Sequence, residues 1–241
     1  MSSIYQNIKS STKRQEKLLA VLIDPDKANI ESIASLCEKI KRSIATHIFV
    51  GGSEVEEFET EKLVVELKKY TKLPIILFPG DVTQITDKAD GILFLSLISG
   101  RNSDYLIGKH IEAVSKLSKT TLEVIPTGYV LVESGKQTAV ERVSKTNPLS
   151  HNNIEAIIDT AKAGELLGMK LIYLEAGSGA NYPVGFKTIS EVKKRLDIPL
   201  IVGGGIRTKD AIELAHKSGA DMVVIGTAFE QNDDFFEELK N

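Results

Sequence analysis

The chain has 241 residues, with 30 Lys plus Arg against 33 Asp plus Glu, a net charge of −3 and a pI near 5.9. That balance excludes a global electrostatic pull on nucleic acid or on an anionic membrane surface, so any anion must be bound locally. The 42% of hydrophobic residues can fill a large core, and the length is close to the roughly 250 residues of one (β/α)8 barrel.

One cysteine, Cys37, excludes an intrachain disulfide. It shares helical spacing with Ile30, Ile33, Ala34 and Ile40, which predicts a buried thiol rather than a nucleophile. The segment Met1–Asn7 lacks the charged-then-apolar pattern of a signal peptide. No apolar run reaches the roughly 18 residues that span a bilayer. A cytoplasmic protein with at most peripheral membrane contact is expected.

Strand-like and helix-like segments alternate along the chain. Leu18–Ile23 is an apolar run stopped by Asp24-Pro25-Asp26, and Ala28–Ile40 has helical spacing. Ile48–Val50 runs into Gly51-Gly52-Ser53, and Val55–Tyr70 is helical. Pro74–Phe78 is a third strand, ended by Pro79-Gly80. Ile92–Leu97 is the fourth, with helical Asp104–Leu117 after it, and Leu122–Ile125 is the fifth. Asn153–Leu167 is helical, Leu171–Leu174 is the sixth strand, and Thr188–Leu196 is helical. Leu200–Val202 and Met222–Ile225 complete eight strands, with helix Asp210–Ser218 between them and a last helix near Asp233–Leu239. Such alternation predicts a parallel sheet closed into a barrel. No Pro/Gly/Ser-rich linker interrupts it, so residues 1–241 are expected to form one domain.

Two places depart from an ideal barrel. Between Gly80 and Asp90 the chain is too short and too polar for a crossover helix of about three turns, so helix 3 is predicted to be missing or vestigial. Phe78, Leu93, Leu95, Leu97 and Ile98 would then be uncovered. Residues 1–12 or a neighbouring subunit could cover them, or an elongated apolar ligand could lie there. The second departure is the long polar stretch Pro126–Ser150, carrying Tyr129, which reads as a lid or oligomer-contact loop after strand 5.

Catalytic groups of a parallel barrel sit at the C-terminal strand ends. These offer Asp24, Asp26 and Lys27 after strand 1, and Ser53 after strand 2. Ser96, Ser99, Arg101 and Asn102 follow from strand 4, Glu123 and Thr127 from strand 5, and Glu175 with Gly177-Ser178-Gly179 from strand 6. Asp24 reads equally as a Mg²⁺ ligand or as part of a helix-capping turn. An ionised Glu175 closing an apolar strand needs a partner, and ligand hydroxyls would serve. His47, His110, His151 and His216 are scattered without metal-ligand spacing. Late in the chain, Gly203-Gly204-Gly205 and Gly226-Thr227 each end an apolar run. Backbone amides at such turns suit a phosphate monoester, in the position of the site that follows strands 7 and 8 of many barrels.

Six segments together carry a family resemblance: Asp24-Pro25-Asp26-Lys27, Gly51-Gly52-Ser53, Ser99–His110, Ile125–Tyr129, Tyr173–Gly179 and Val202–Thr208. Across essentially its whole length the chain resembles the geranylgeranylglyceryl phosphate synthases and the related heptaprenylglyceryl phosphate synthases. The resemblance implies a (β/α)8 barrel without an ordinary helix 3, with a prenyl chain lying in an apolar groove. It implies ether formation between sn-glycerol 1-phosphate and a polyprenyl diphosphate, geranylgeranyl first, with release of pyrophosphate. It implies a Mg²⁺ site at Asp24 and Ser53. Tyr173, Glu175, Gly177, Ser178 and Gly179 would hold glycerol 1-phosphate, with Gly203, Gly204, Gly226 and Thr227 at its phosphate. Asp24 and Glu175 are the implied catalytic groups, with Lys27 or Arg101 as a cation near the leaving diphosphate. A homo-oligomer is also implied, and Ile125–Tyr129 resembles the branch whose members are commonly hexameric. One branch of the family has a lysine where this chain has Leu22. The residues alone leave two other readings open. One is a sugar-phosphate isomerase or aldolase-type barrel using Glu123 with Glu175. The other is a non-catalytic glycerol-phosphate-binding protein.

Overall fold

The computed structural model describes residues 3–226 and 235–240. Eight parallel strands close on themselves in sequential order. They are β1 Leu18–Ile23, β2 His47–Val50, β3 Ile75–Leu77, β4 Gly91–Leu97, β5 Glu123–Leu131, β6 Leu171–Glu175, β7 Leu200–Gly203 and β8 Met222–Ile225. Pairing of β1 with β8, Leu18 opposite Met222, completes the ring. No strand edge is left free, which removes the usual route to edge aggregation.

Side chains alternate in facing, and each strand buries both faces. Leu18, Ala20, Phe49, Ile76, Leu93 and Leu171 belong to the barrel interior. Leu19, Val21, Ile48, Val50 and Ile172 pack outward, against helices α2 (Ile33–Arg42), α3 (Glu59–Tyr70), α6 (Ile154–Leu166), α7 (Phe186–Lys193) and α8 (Lys209–Lys217). Cys37 lies buried in this outer layer, where burial pushes its thiol up to about 11. That is the expectation for a packing thiol.

Helix α1, Ile4–Lys13, was not anticipated as a helix. Its Ile4, Tyr5 and Ile8 join the interior cluster and close the floor of the barrel. Its N-terminal amides are capped by Glu123, with Tyr5 N donating to Oε1 at 2.9 Å. An anionic cap on a helix N-terminus is favourable. Glu123 therefore opens β5 at the floor, rather than standing at the mouth as the sequence predicted.

The loop expected from Pro126 is strand up to Leu131. Pro126 and Gly128 disguise it, because both residue types argue against a central strand. The Pro126 carbonyl still accepts from Lys170 N at 2.9 Å. Beyond β5 the chain forms a short helix α5, Ala139–Ser144, started by a Thr138–Glu141 capping box.

Helix 3 is absent, as the sequence predicted. Only a 3-10 turn, Val82–Gln84, lies between β3 and β4. Gln84 is buried and grips the turn after β2, with Nε2 donating to Gly52 O at 2.8 Å and Oε1 accepting from Gly52 N at 3.3 Å. After β4, a π-helical turn, Asp104–Gly108, leads into helix α4, Lys109–Leu117, which leans towards the gap. Lys109 pairs with Asp81 at 2.8 Å, and Lys116 Nζ donates to Val82 O at 3.0 Å. Helix α9, Phe235–Glu238, with Leu239 after it, packs beside α2.

Candidate active site

The C-terminal strand ends open into a mouth. Asp24, Ser53, Tyr173, Glu175, Gly177, Ser178, Gly179, Gly204 and Gly226 all line it. These are nine of the eleven site residues that the family resemblance implied. Gly203 lies immediately behind the lining, and Thr227 is outside the described residues. Asp24 follows the last residue of β1, where Asp26 N donates to its Oδ1 at 3.2 Å and Lys27 Nζ meets its Oδ2 at 2.9 Å. The capping-turn reading of Asp24 thus has a counterpart. It organises its own turn, and it already attracts a cation.

Glu175 is buried at the end of β6. Its Oε1 accepts from Gly177 N at 2.6 Å. Desolvation pushes its carboxyl up to about 7, offset in part by the nearby Tyr173 hydroxyl and the Gly177 amide. The Tyr173 hydroxyl is itself buried and falls short of a good hydrogen bond with any described group. Tyr173 stacks on Tyr129 with centroids 5.4 Å apart, and Phe78 tilts against both rings at 5.3 and 6.0 Å. Burial raises both tyrosine hydroxyls well above their ordinary value, so they are neutral donors at physiological pH.

The glycine turn after β7 leaves no room for side chains at Gly203 and Gly204. Gly203 passes so close to Tyr173 that a Cβ would collide with Oη. Gly204 has φ +80°, and its Cβ would strike Glu175 Oε1 and lie 2.6 Å from Gly177 N. Glycine alone suits that conformation and approach. The turns after β6 and β7 therefore pack backbone to backbone beside the Glu175 carboxylate.

A second space opens where helix 3 is missing. Its walls include Phe78, Leu93, Leu95, Leu97, Ala113 and Val143. Ile98, which the sequence grouped with them, instead packs outward near Gly128 and Gly164. Gly52, Ser53, Phe78, Tyr129 and Val140 border both spaces, so the polar mouth and the apolar groove adjoin. Helix α5 roofs this junction. It is held by Asn102 Nδ2 to Ser144 O at 2.8 Å, by the Tyr105 hydroxyl to Val143 O at 3.2 Å, and by an Arg142–Glu54 ion pair across the mouth.

Several expected groups do not reach the site. Glu123 and Glu175 lie at opposite ends of the barrel, so they cannot act as an acid/base pair. Arg101 folds back on the carbonyls of Gly100 and Ile98 and lines neither space. Ser96 and Ser99 are buried in hydrogen bonds to His110 Nε2 at 3.0 Å and Leu131 N at 3.0 Å, and Thr127 bonds Ile125 O at 2.9 Å. The sequence reading named Phe78 and Tyr129 separately but not as one aromatic wall, and it missed the α5 roof and Lys136. The Thr138-x-x-Glu141 spacing was the available signal for α5.

Asp24 and Ser53 supply hard oxygen donors beside the junction of the two spaces, and an ammonium group already stands at the carboxylate. Few protein oxygens, with room for water and phosphate oxygens, is a donor set that suits Mg²⁺.

Comparison with known proteins agrees with this geometry along the whole chain. A curated geranylgeranylglyceryl phosphate synthase of Flavobacterium johnsoniae is 55% identical over 237 residues, covering 98% of each chain. One of Korarchaeum cryptofilum is 38% identical, covering 92% of this chain and 91% of its own. The crystal structure of (S)-3-O-geranylgeranylglyceryl phosphate synthase from Thermoplasma acidophilum, in complex with substrate sn-glycerol-1-phosphate, superposes with a TM-score of 0.93 at 34% identity, covering 99% and 96% of the two chains. With the PcrB family model matching residues 11–241, which span the barrel, its glycine turns and its helix-3 gap, the chain belongs to the PcrB family.

Proposed function

We propose that this protein is a prenyltransferase joining sn-glycerol 1-phosphate to a polyprenyl diphosphate, geranylgeranyl diphosphate in the first instance, with release of pyrophosphate. The observation that carries this reading is that a glycine-lined polar mouth adjoins an apolar groove at Phe78, Tyr129 and Val140. An acceptor carrying phosphate and hydroxyls suits the first space, and a hydrocarbon tail suits the second.

In this reading the acceptor phosphate lies at the backbone of Gly177–Gly179, Gly204 and Gly226. Tyr173 and Glu175 face the glycerol hydroxyls. One hydroxyl oxygen forms a bond to the allylic carbon as the bond to the diphosphate oxygen breaks, and the hydroxyl proton passes to Glu175. A carboxyl held near 7 is matched to that task at neutral pH. Asp24 and Ser53 would hold Mg²⁺, which supplies charge stabilisation for the departing diphosphate. Lys27, already at Asp24 Oδ2, adds a second positive charge there. The α5 roof and the aromatic wall keep water from the reacting carbon.

The direct test is incubation with sn-glycerol 1-phosphate and donors of several lengths, followed by identification of the product. An ether lipid phosphate with stoichiometric pyrophosphate is expected, and absence of product with every donor would overturn the reading. Asp24→Asn, or EDTA on the wild type, is expected to reduce turnover at least about 100-fold with melting unchanged, through loss of several kcal/mol of transition-state stabilisation. No described helix is long and apolar enough to cross a membrane. The exposed residues Ile107, Ile111 and Val114 on one face of α4 and its preceding turn support assembly as a homo-oligomer.

A further inference from the structure

The proposed pocket must hold a doubly charged phosphate beside an acidic lining, yet most cations around it are engaged. Asp24, Asp26, Glu54 and Glu175 all border the mouth. Lys27 is committed to Asp24, and Arg142 to Glu54. Arg207 borders the mouth with its guanidinium bonded to Ala180 O at 2.7 Å. Among the described residues the floor of the phosphate turns offers no charge, because a Cβ placed on Gly226 would lie 3.7 Å from Cβ of the aliphatic Leu22. A further cation stands beside the mouth without lining it. Lys136, in the loop between β5 and α5, projects over the turn after β6, and a Cβ on Gly179 would lie 3.1 Å from its Nζ. Among the described residues it makes no hydrogen bond or ion pair.

The loop that carries Lys136 is fixed in place. Asn181 N donates to Ser134 O at 3.2 Å, and Asn181 Nδ2 donates to Gly135 O at 3.1 Å. On its other side, Thr138 packs so tightly against Gly177 that a Cβ there would collide with it. Both ends of the segment 134–138 are thus tied to the very turn that the ammonium covers. A flexible lysine stem on an anchored backbone can reach down to an anion without moving the loop.

We propose that Lys136 is the phosphate-neutralising residue of this protein, supplying from the roof of the mouth the charge that Leu22 cannot supply from its floor. It positions the acceptor and selects for a dianionic phosphate headgroup over neutral polyols. The inference rests on the placement of the acceptor phosphate proposed above.

The test separates Lys136 from the reaction itself. Lys136→Gln is expected to raise KM for sn-glycerol 1-phosphate about tenfold, as the loss of one charge-assisted hydrogen bond does, with KM for the prenyl diphosphate and kcat within about twofold. Lys136→Arg should restore most of the loss. Leu22→Lys in the Lys136→Gln background should restore part of it by placing a charge on the floor instead. Inorganic phosphate binding, measured by calorimetry on the same proteins, should weaken in parallel. Unchanged phosphate affinity and acceptor KM in Lys136→Gln would overturn the proposal, as would an equal loss for both substrates that Arg does not rescue. If the wild type makes no ether with any donor, the proposed reaction fails, and the calorimetry alone then decides the role of Lys136.

Discussion

A carboxyl group that ionises near pH 7 inside a barrel affects turnover and stability in opposite directions. Glu175 is held at about 7 by burial, against an ordinary value of 4.5. Between those pH values the folded protein keeps a proton that the unfolded chain has released, so stability falls as pH rises through the window. The loss, on the order of 3 kcal/mol, is complete above about pH 7. Glu175→Gln is therefore expected to melt higher relative to wild type at pH 8 than at pH 5. The same substitution should remove the limb of kcat/KM that rises through about pH 7 in the wild type; a wild-type profile flat from pH 5 to 8 would count against Glu175 as the base. The glycines give a second contrast. Gly204→Ala should cost about 1–2 kcal/mol from its left-handed backbone alone, and it should impair Glu175 as well, because the new methyl meets that carboxylate. Gly226→Ala meets only Leu22 at ordinary contact distances. It should melt like the wild type yet raise KM for glycerol 1-phosphate, if the phosphate approaches that turn. At this scale the mouth was largely legible, since a carboxylate or a glycine run ending an apolar strand has few other uses. Lys136 was not, because a lysine in a polar loop carries no signal until the fold brings it over Gly179.

The strands and the gap were readable for a simple physical reason. Strands buried on both faces are continuous apolar runs, and Asp24-Pro25, Gly51 and Pro79 cut them near their observed ends. The missing crossover helix is a matter of length, since thirteen residues, 78 to 90, separate β3 from β4. β5 was misread because Pro126 and Gly128 resemble a turn, and that error put Glu123 at the wrong end of the barrel. α1 was missed because three apolar residues in a polar segment acquire meaning only from the floor they close. The elements around the gap set the expected donor length. Ala113 of α4 is a small residue on the groove wall. Ala113→Phe should shift preference from geranylgeranyl towards shorter diphosphates, since each methylene excluded costs roughly 0.8 kcal/mol. Competition assays with paired donors would read this ratio, and KM for glycerol 1-phosphate should stay within about twofold. A ratio unmoved in the folded variant would mean the tail lies elsewhere.

For the molecule as a whole, one group of exposed apolar side chains lies along a single helix face. Ile111 is 67% exposed, with Ile107 and Val114 beside it along the same helix face. Ile111→Glu is expected to shift the mass measured by light scattering towards smaller species while leaving the barrel folded, and an unchanged mass would remove this face from the assembly. Neither the face nor its partner was legible from composition, because isolated isoleucines in a helix look like core until the fold turns them outward. The floor of the barrel has a different consequence. Since Ile4 and Tyr5 are pinned by Glu123 at the end away from the mouth, a tether attached ahead of Ser3 leaves from that far end. On a sensor chip or bead, such a handle presents every copy with its opening towards the bulk solution. Random coupling through lysines would also modify Lys27 and Lys136.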